Sequence, residues 1–518
     1  MGDMGRGFRQ SMAWLHTWAG LVVGWLLFAV FVTGTASYYR ADISRWMRPE
    51  IPLATADPAS VADLAVAALK VHAAEARQWY VRLPNDSDGT LGLQWRGKGG
   101  TREGVILDPV TGAAVRVRDT LGGEFLYRFH FELHMPPLWG RWIVGSATMI
   151  MLIAMLSGIV THRRIFKDFF TFRPRKGGQR AWLDAHNAMG VLALPYHLII
   201  SYSGLVLLSL TLMPWGAAAT YRGDTARFVT DLGITAMPPR PAAGRSADLA
   251  SLGPMLEAAM ARSGAAPEHL VIDKPGDAHA TVTVLLEQPR GIAHRHPQVT
   301  FDGITGALLA ETGLPRPAAQ TYFTLSGLHE ADFASPALRV LYVVCGAMGS
   351  AMIATGLVLW VRARLPAPGS PIPVILRLVR GLNLVTIAGL PTGIAAFFIA
   401  NRLLPFDLAG RSAWEVRAFF AAWLVTALMP AILAYRTAWR FTLGWAGLLY
   451  LIIPIIDAST VGRTDILFLI FNAVMVALGL VLLLCGYTIR PMIQSTRARV
   501  ASVQQENTGS VSFYSRSP

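Results

Sequence analysis

The sequence predicts a polytopic α-helical membrane protein of about eight spans, with two small external α+β modules and a duplicated span–module–span unit. Three observations carry this. Of 518 residues, 53% are apolar and 15% charged, against about 25% charged in an ordinary soluble domain, and the mean hydropathy is +0.42. The apolar residues come in runs of about twenty or more, the length a helix needs to cross a bilayer. Parts of those runs recur at fixed offsets. This composition excludes a soluble enzyme and a disordered chain alike.

The first run, near 11–38 within a segment 1–39, keeps Thr33, Gly34, Tyr38 and Tyr39 and lacks a small-residue cleavage site. It is too long for a signal-peptide core and reads as a retained span. Residues 40–135 form the first external module. Residues 136–213 hold the second and third spans, near 137–162 and 186–213, joined by a basic loop. Residues 214–335 form the second module, and 336–363 the fourth span, near 337–361. Four further spans are expected in 380–489, near 380–401, 414–434, 441–457 and 464–489, the seventh being the shortest. The tail 490–518, rich in Ser, Gln and Arg, is expected to be disordered.

Orientation follows from Lys and Arg in the short loops. With the N-terminus inside, the cytoplasmic pieces carry 19 Lys and Arg, whereas the two long external segments are nearly balanced in sign. The net charge of +14 is therefore a topology signal, and no nucleic-acid partner is inferred from it. Each module has a helix-like stretch (Val61 to Ala76; Ala250 to Ser263) and then alternating runs such as Thr281-Val-Thr-Val-Leu-Leu. Each also carries a matching turn, Asp108-Pro-Val-Thr-Gly112 and Asp302-Gly-Ile-Thr-Gly306, with Gly placed for positive φ.

Residues 11–38 align without a gap on 181–208, His16 falling on His186, Gly20 on Gly190 and Thr33-Gly34 on Ser203-Gly204. Residues 127–134 align on 322–329, with Leu133-His134 on Leu328-His329, and Ser157-Gly158 matches Thr355-Gly356. Seven of the 12 histidines lie in or beside the duplicated spans: His16, His130, His134, His162, His186, His197 and His329. A single membrane histidine is commonly a hydrogen-bonded packing residue. Seven clustered in one half, with repeat-matched pairs among them, point instead to function, because ionisable groups at membrane depth are costly.

Two neutral imidazoles from facing helices can hold a haem iron axially, whereas zinc wants three or four converging ligands. His186 and His197 are 11 residues apart. Eleven helical steps return to about 20° from the start and span about 16 Å, so one helix offers histidines at two depths on one face. His16 and His186 pair near the inner face. His134 and His329 form the equivalent outer pair, and His197 takes either of these as partner. His162 and His130 are further candidates; for His162, axial ligation, proton carriage and a propionate contact all stay open. The only cysteines are Cys345 and Cys485, both in apolar runs, and no Cys-x-x-Cys-His occurs. The cofactor expected is haem b, at least two and non-covalent. No histidine follows His329, so the last four spans should carry none.

Several motifs occur in an order that resembles the PepSY-associated transmembrane family over roughly residues 8–363: Met12-Ala-Trp-Leu-His-Thr-Trp-Ala-Gly20, Asp184-Ala-His-Asn-Ala-Met-Gly190 with Pro195-Tyr-His197, the run Thr161 to Pro174, and the two Asp-x-x-Thr-Gly turns. The resemblance implies a bacterial inner-membrane protein with periplasmic PepSY-like modules and ferric-siderophore-reductase-like activity. On that basis the chain is expected to be a transmembrane oxidoreductase, both termini cytoplasmic. It would carry electrons from an undetermined cytoplasmic or quinol donor to a periplasmic acceptor, best a ferric siderophore, and release iron as Fe(II). The aromatic residues Tyr127, Phe129, Phe131, Trp139, Tyr322 and Phe323 read as an interfacial belt or as the lining of an acceptor site. Two rivals stand beside this: a non-redox transporter with proton-carrying histidines, and a membrane-tethered PepSY module that regulates peptidases.

Overall fold

A computed structural model describes residues 7–52, 57–85, 88–97, 100–161, 178–367 and 369–489. His162, most of the basic loop and the 490–518 tail lie outside them. The chain divides into two units. The first comprises residues up to 370 with 405–412, and the second 371–404 with the residues from 413 onward.

In the first unit, α1 (Phe8–Ser37) leads through α2 (Arg40–Trp46) and α3 (Pro58–His72) into strands β1 (Gln78–Arg82), β2 (Leu91–Arg96) and β3 (Arg102–Leu107). Next come α4 (Gly123–Glu132) and the second span, α5 (Pro137–Thr161). The run expected as one third span is two helices, α6 (Gly178–Leu192) and α7 (Leu194–Leu212), which meet at Ala193. Pro195 has no N–H to give to the preceding turn, so the helix restarts with proline in its own first turn. Short helices α8 (Trp215–Tyr221) and α9 (Thr225–Asp231) precede α10 (Gly253–Ser263) and strands β4 (Pro267–Asp273), β5 (Thr281–Leu286), β6 (Gln298–Asp302) and β7 (Leu308–Glu311). Helices α11 (Pro317–Glu330) and α12 (Pro336–Arg362) complete the repeat. α1 packs along α5 and α12, α6 along α12, and α7 against α5 and α12.

The two modules read from the sequence share one sheet. Its order is β3-β2-β1-β4-β5-β6-β7, antiparallel throughout. β1 of the first module pairs with β4 of the second, Trp79 opposite Ile272 and Val81 opposite Leu270. This pairing covers an edge that each three- or four-stranded half would otherwise leave open. α3 and α10 pack against each other and against the central strands. One core runs through both halves, including Leu69, Trp79, Val81, Leu256, Ile272 and Val282. The two repeat turns form as expected: Asp108 Oδ1 accepts the Val110 and Thr111 N–H groups at 3.0 and 2.8 Å, and Asp302 Oδ1 accepts those of Ile304 and Thr305, both at 3.1 Å. Gly112 and Gly306 follow at φ +69° and +72°.

The second unit holds α13 (Val374–Leu384), a π-turn over Val385–Gly389, α14 (Leu390–Leu403), α15 (Arg411–Val425), α16 (Met429–Ile432), α17 (Tyr435–Thr460) and α18 (Ile466–Thr488). The run expected to be shortest is the 26-residue α17. Among the described residues, eight helices or helix pairs are long and apolar enough to span a membrane. In the second unit Arg402 and Asp457 form an ion pair at 2.7 Å with side chains 1% exposed. Asn401 bonds Glu415 and Asn472 bonds Asp457, each at 2.8 Å.

Candidate cofactor site

Two cavities open inside the bundle of the first unit, one beside the sheet and one at the far ends of the same helices. The sheet-side cavity, about 500 Å³, is lined by His130 of α4 and His329 of α11, with Gly34, Gly204, Tyr127, Phe131 and Tyr322. The far cavity, about 460 Å³, is lined by His16 of α1, His186 of α6 and His197 of α7, with Gly158 and Gly356. Leu27 and Met151 line both and separate them. Each volume lies in the range of cofactor pockets.

In each cavity two imidazoles face one another. The ring centroids of His16 and His186 are 6.1 Å apart, and those of His130 and His329 are 6.0 Å apart. Two imidazole nitrogens at about 2.0–2.1 Å from one metal ion, plus about 1.1 Å from each nitrogen to its ring centre, give coaxial centroids about 6.3 Å apart. Both pairs therefore stand at the spacing of two axial ligands.

The other ring nitrogen is tied down in every case. His16 Nδ1 lies 2.7 Å from the Ala154 carbonyl, His186 Nδ1 2.8 Å from that of Met352, and His130 Nδ1 2.7 Å from that of Val30. A carbonyl can only accept, so Nδ1 carries the hydrogen and Nε2 keeps its lone pair for a metal. His329 Nδ1 meets the Ser203 hydroxyl at 3.0 Å, with the Ile200 backbone beside it. Glycine four residues beyond each of these backbone positions lets the ring approach. A Cβ on Gly158, Gly356 or Gly204 would sit 3.0 Å from the nearest atom of His16, His186 or His329, and one on Gly34 would sit 2.5 Å from His130. Arg40, Arg141 and Arg339 line the sheet-side cavity together with Asp42, Glu330 and Asp332, and Arg364 lines the far one. Donor set and ring spacing fit a non-covalent haem in each cavity.

Of the sequence-derived candidates, the structure thus joins His16 with His186, and His130 with His329. His134 follows the left-handed cap residue Leu133, itself has φ +55°, and packs its ring 5.7 Å from that of Phe125. His197, on α7 beyond the break at Ala193, lines the far cavity with His186 of α6 but is fully buried, with Nε2 3.3 Å from the Cys345 carbonyl. Neither His134 nor His197 lines the sheet-side cavity. The aromatic set divides: Tyr127, Phe131 and Tyr322 line that cavity, Phe129 and Phe323 are buried, and Trp139 is exposed. The sequence reading missed the four glycines as part of the site, although Thr33-Gly34/Ser203-Gly204 and Ser157-Gly158/Thr355-Gly356 are its clearest repeat matches.

Membrane-length helices, an antiparallel sheet and two ligand-sized cavities define a polytopic membrane protein with two internal cavities. Residues 13–363 match the PepSY-associated TM region, and the chain belongs to that family. The match takes in both cavities and the whole sheet. The chain is also 28% identical to an uncharacterised protein of Pseudomonas aeruginosa over 319 residues, 57% of this chain and 76% of that relative.

Proposed function

We propose that the chain is a transmembrane oxidoreductase that holds haem b in both cavities and passes electrons from the cytoplasmic side to a periplasmic acceptor, a ferric siderophore, freeing iron as Fe(II). The observation that carries this reading is the pair of imidazole couples at 6.1 and 6.0 Å, each ring with Nδ1 already engaged. Held between His16 and His186 or between His130 and His329, haem would supply a one-electron carrier whose potential depends on the imidazoles that hold it and on its burial.

The protein's own residues do the rest. His16, His186, His130 and His329 offer Nε2. The backbone carbonyls of Ala154, Met352 and Val30 hold the tautomer and raise ligand basicity. Leu27 and Met151 keep water from joining the cavities while leaving them only a side-chain layer apart. The positive-inside count supports a cytoplasmic far cavity and a periplasmic sheet. Tyr127 and Tyr322 in the lining of the sheet-side cavity offer hydroxyl and aromatic contacts to an oxygen-rich ferric chelate.

An absorption spectrum of the purified protein tests this most directly. A Soret band, with α and β bands on dithionite reduction, is expected at two haems per chain. A colourless, folded preparation from haem-replete cells would sink the reading.

A further inference from the structure

Beside the sheet-side cavity lies a second group of metal-ligating side chains that the haem reading does not use. His294, in the connection between β5 and β6, meets Glu330 and Asp332 at the end of α11, with one ligand atom from each within 4.8 Å of the others. His294 Nδ1 is 2.9 Å from Asp332 Oδ2, and Nε2 is 3.9 Å from Glu330 Oε2. The Gln288 amide oxygen stands 3.0 Å from the same Nδ1 and is a fourth donor within reach.

Two backbone devices bring these groups together. Gly327 lets the β5–β6 connection press onto α11, since a Cβ there would overlap the Ile292 carbonyl oxygen. The His294 N–H then bonds the Phe323 carbonyl at 2.9 Å. At the end of α11, Ala331 takes the left-handed conformation, φ +58°. That conformation is unfavourable for a non-glycine residue, and it turns Asp332 back beside Glu330. Without that turn the two carboxylates would diverge along the chain.

We propose that His294, Glu330 and Asp332 form a binding site for a divalent first-row metal ion, and that its natural occupant is the Fe(II) released from the acceptor. This rests on the function proposed above. Two carboxylates and a neutral imidazole present two negative charges and a hard-to-borderline N/O donor set, which suits Fe(II), Mn(II) or Zn(II) over soft Cu(I). Glu330 and Asp332 also line the cavity into which His329 projects, so an iron ion reduced at the cavity mouth has oxygen ligands next to it. The cation that opposes such a site, Arg40, is paired with Glu124 at 3.8 Å and lies over the Tyr127 ring.

The test is anaerobic equilibrium dialysis of the untagged, full-length protein in detergent against Fe(II), with Zn(II) as competitor, haem content being read separately by absorbance. One Fe(II) per chain beyond haem iron is expected. Affinity should fall at least about tenfold in His294→Ala and in Asp332→Asn, with the Soret band of His294→Ala unchanged. Equal binding by the wild type and the double variant, or no binding by the wild type, would overturn the proposal. Fe(II) binding by a preparation without haem would keep the metal site and remove the redox reading; haem without Fe(II) binding would do the reverse.

Discussion

The ring of His130 lies so close to the backbone of Gly34 that a Cβ there would stand 2.5 Å from Nδ1. The same device recurs three times. Ala154 with Gly158 receives His16, Met352 with Gly356 receives His186, and Ile200 with Gly204 receives His329. Between each pair a Ser or Thr, one residue before the glycine, bonds back to the same carbonyl: Ser157 to Ala154 at 2.9 Å, Thr355 to Met352 at 2.9 Å, Thr33 to Val30 and Ser203 to Ile200, both at 3.3 Å. Back-bonding of this kind often bends a helix, and the glycine leaves the imidazole room to reach the carbonyl.

Gly34→Ala should therefore displace the His130 ring while leaving the helix intact, because alanine is a better helix former than glycine. The expected result is loss of the sheet-side haem and half the haem per chain, read as pyridine haemochrome against protein. The far cavity should keep its cofactor. Full haem content in this variant would show that the His130 contact does not matter.

His130→Ala and His134→Ala separate two ligand sets that differ by one turn of helix. The first should remove the sheet-side haem, and the second should keep both. Electron paramagnetic resonance of the oxidised protein would read this as loss or retention of one low-spin signal. The opposite pattern would restore His134 as the ligand.

The connection that carries His294 should respond to pH through His296. The Glu268 carboxylate 3.0 Å away holds the His296 imidazole protonated to higher pH than usual, and His296 holds Glu268 below the usual carboxylate range. The raised histidine stabilises the fold fully below its unfolded value, about 6.5, and this is lost as pH rises through its folded value. The lowered glutamate contributes above about 4.3, and this is lost as pH falls through its folded value. The other groups that face the pair are His269, 3.8 Å from Glu268, and His294, whose own value is raised by Asp332. Hydrogen-exchange protection of residues 286–298 should be greater at about pH 6 than at about pH 8. His296→Gln should flatten that difference. Equal protection at both values in the wild type would contradict it.

Much of this was legible in the sequence because bilayer and sheet physics act locally. Apolar runs marked all eight spans, the repeat marked the Asp108 and Asp302 turns, and the paired offset marked His16 with His186. The structure sets His130, not His134, beside His329 for a traceable reason. Leu133-His134 matches Leu328-His329 at an offset of 195, yet α4 and α11 end in left-handed caps at Leu133 and Ala331, 198 apart, the offset that α5 and α12 keep. At that offset His329 falls on Phe131, next to His130, and the four-residue shift from His134 to His130 is about one helical turn, so the apolar pattern is kept while one histidine is exchanged for another. The joining of β1 to β4 was invisible, since nothing in a strand's alternation says which edge it will meet. His294 with Glu330 and Asp332 escaped for the same reason: the contact depends on Gly327 and on the turn at Ala331.

The last prediction concerns direction. On the function proposed above, the surplus Lys and Arg of the short loops would put the far cavity toward the cytoplasm and the sheet toward the periplasm. In sealed, right-side-out vesicles loaded with a reductant and a mediator, the reduced α band should appear. An impermeant ferric chelate added outside should then bleach it and yield Fe(II) outside, trapped by a ferrous chelator. His16→Ala should slow the appearance of the band, because it opens the far cavity. His329→Ala should slow the bleaching, because it opens the sheet-side cavity without touching the far one. The two variants thus act on opposite ends of one path, which a simple loss of folding could not reproduce. If chelate confined to the interior bleached the band as fast as chelate outside, the protein would still be a haem protein, but it would not be a vectorial reductase.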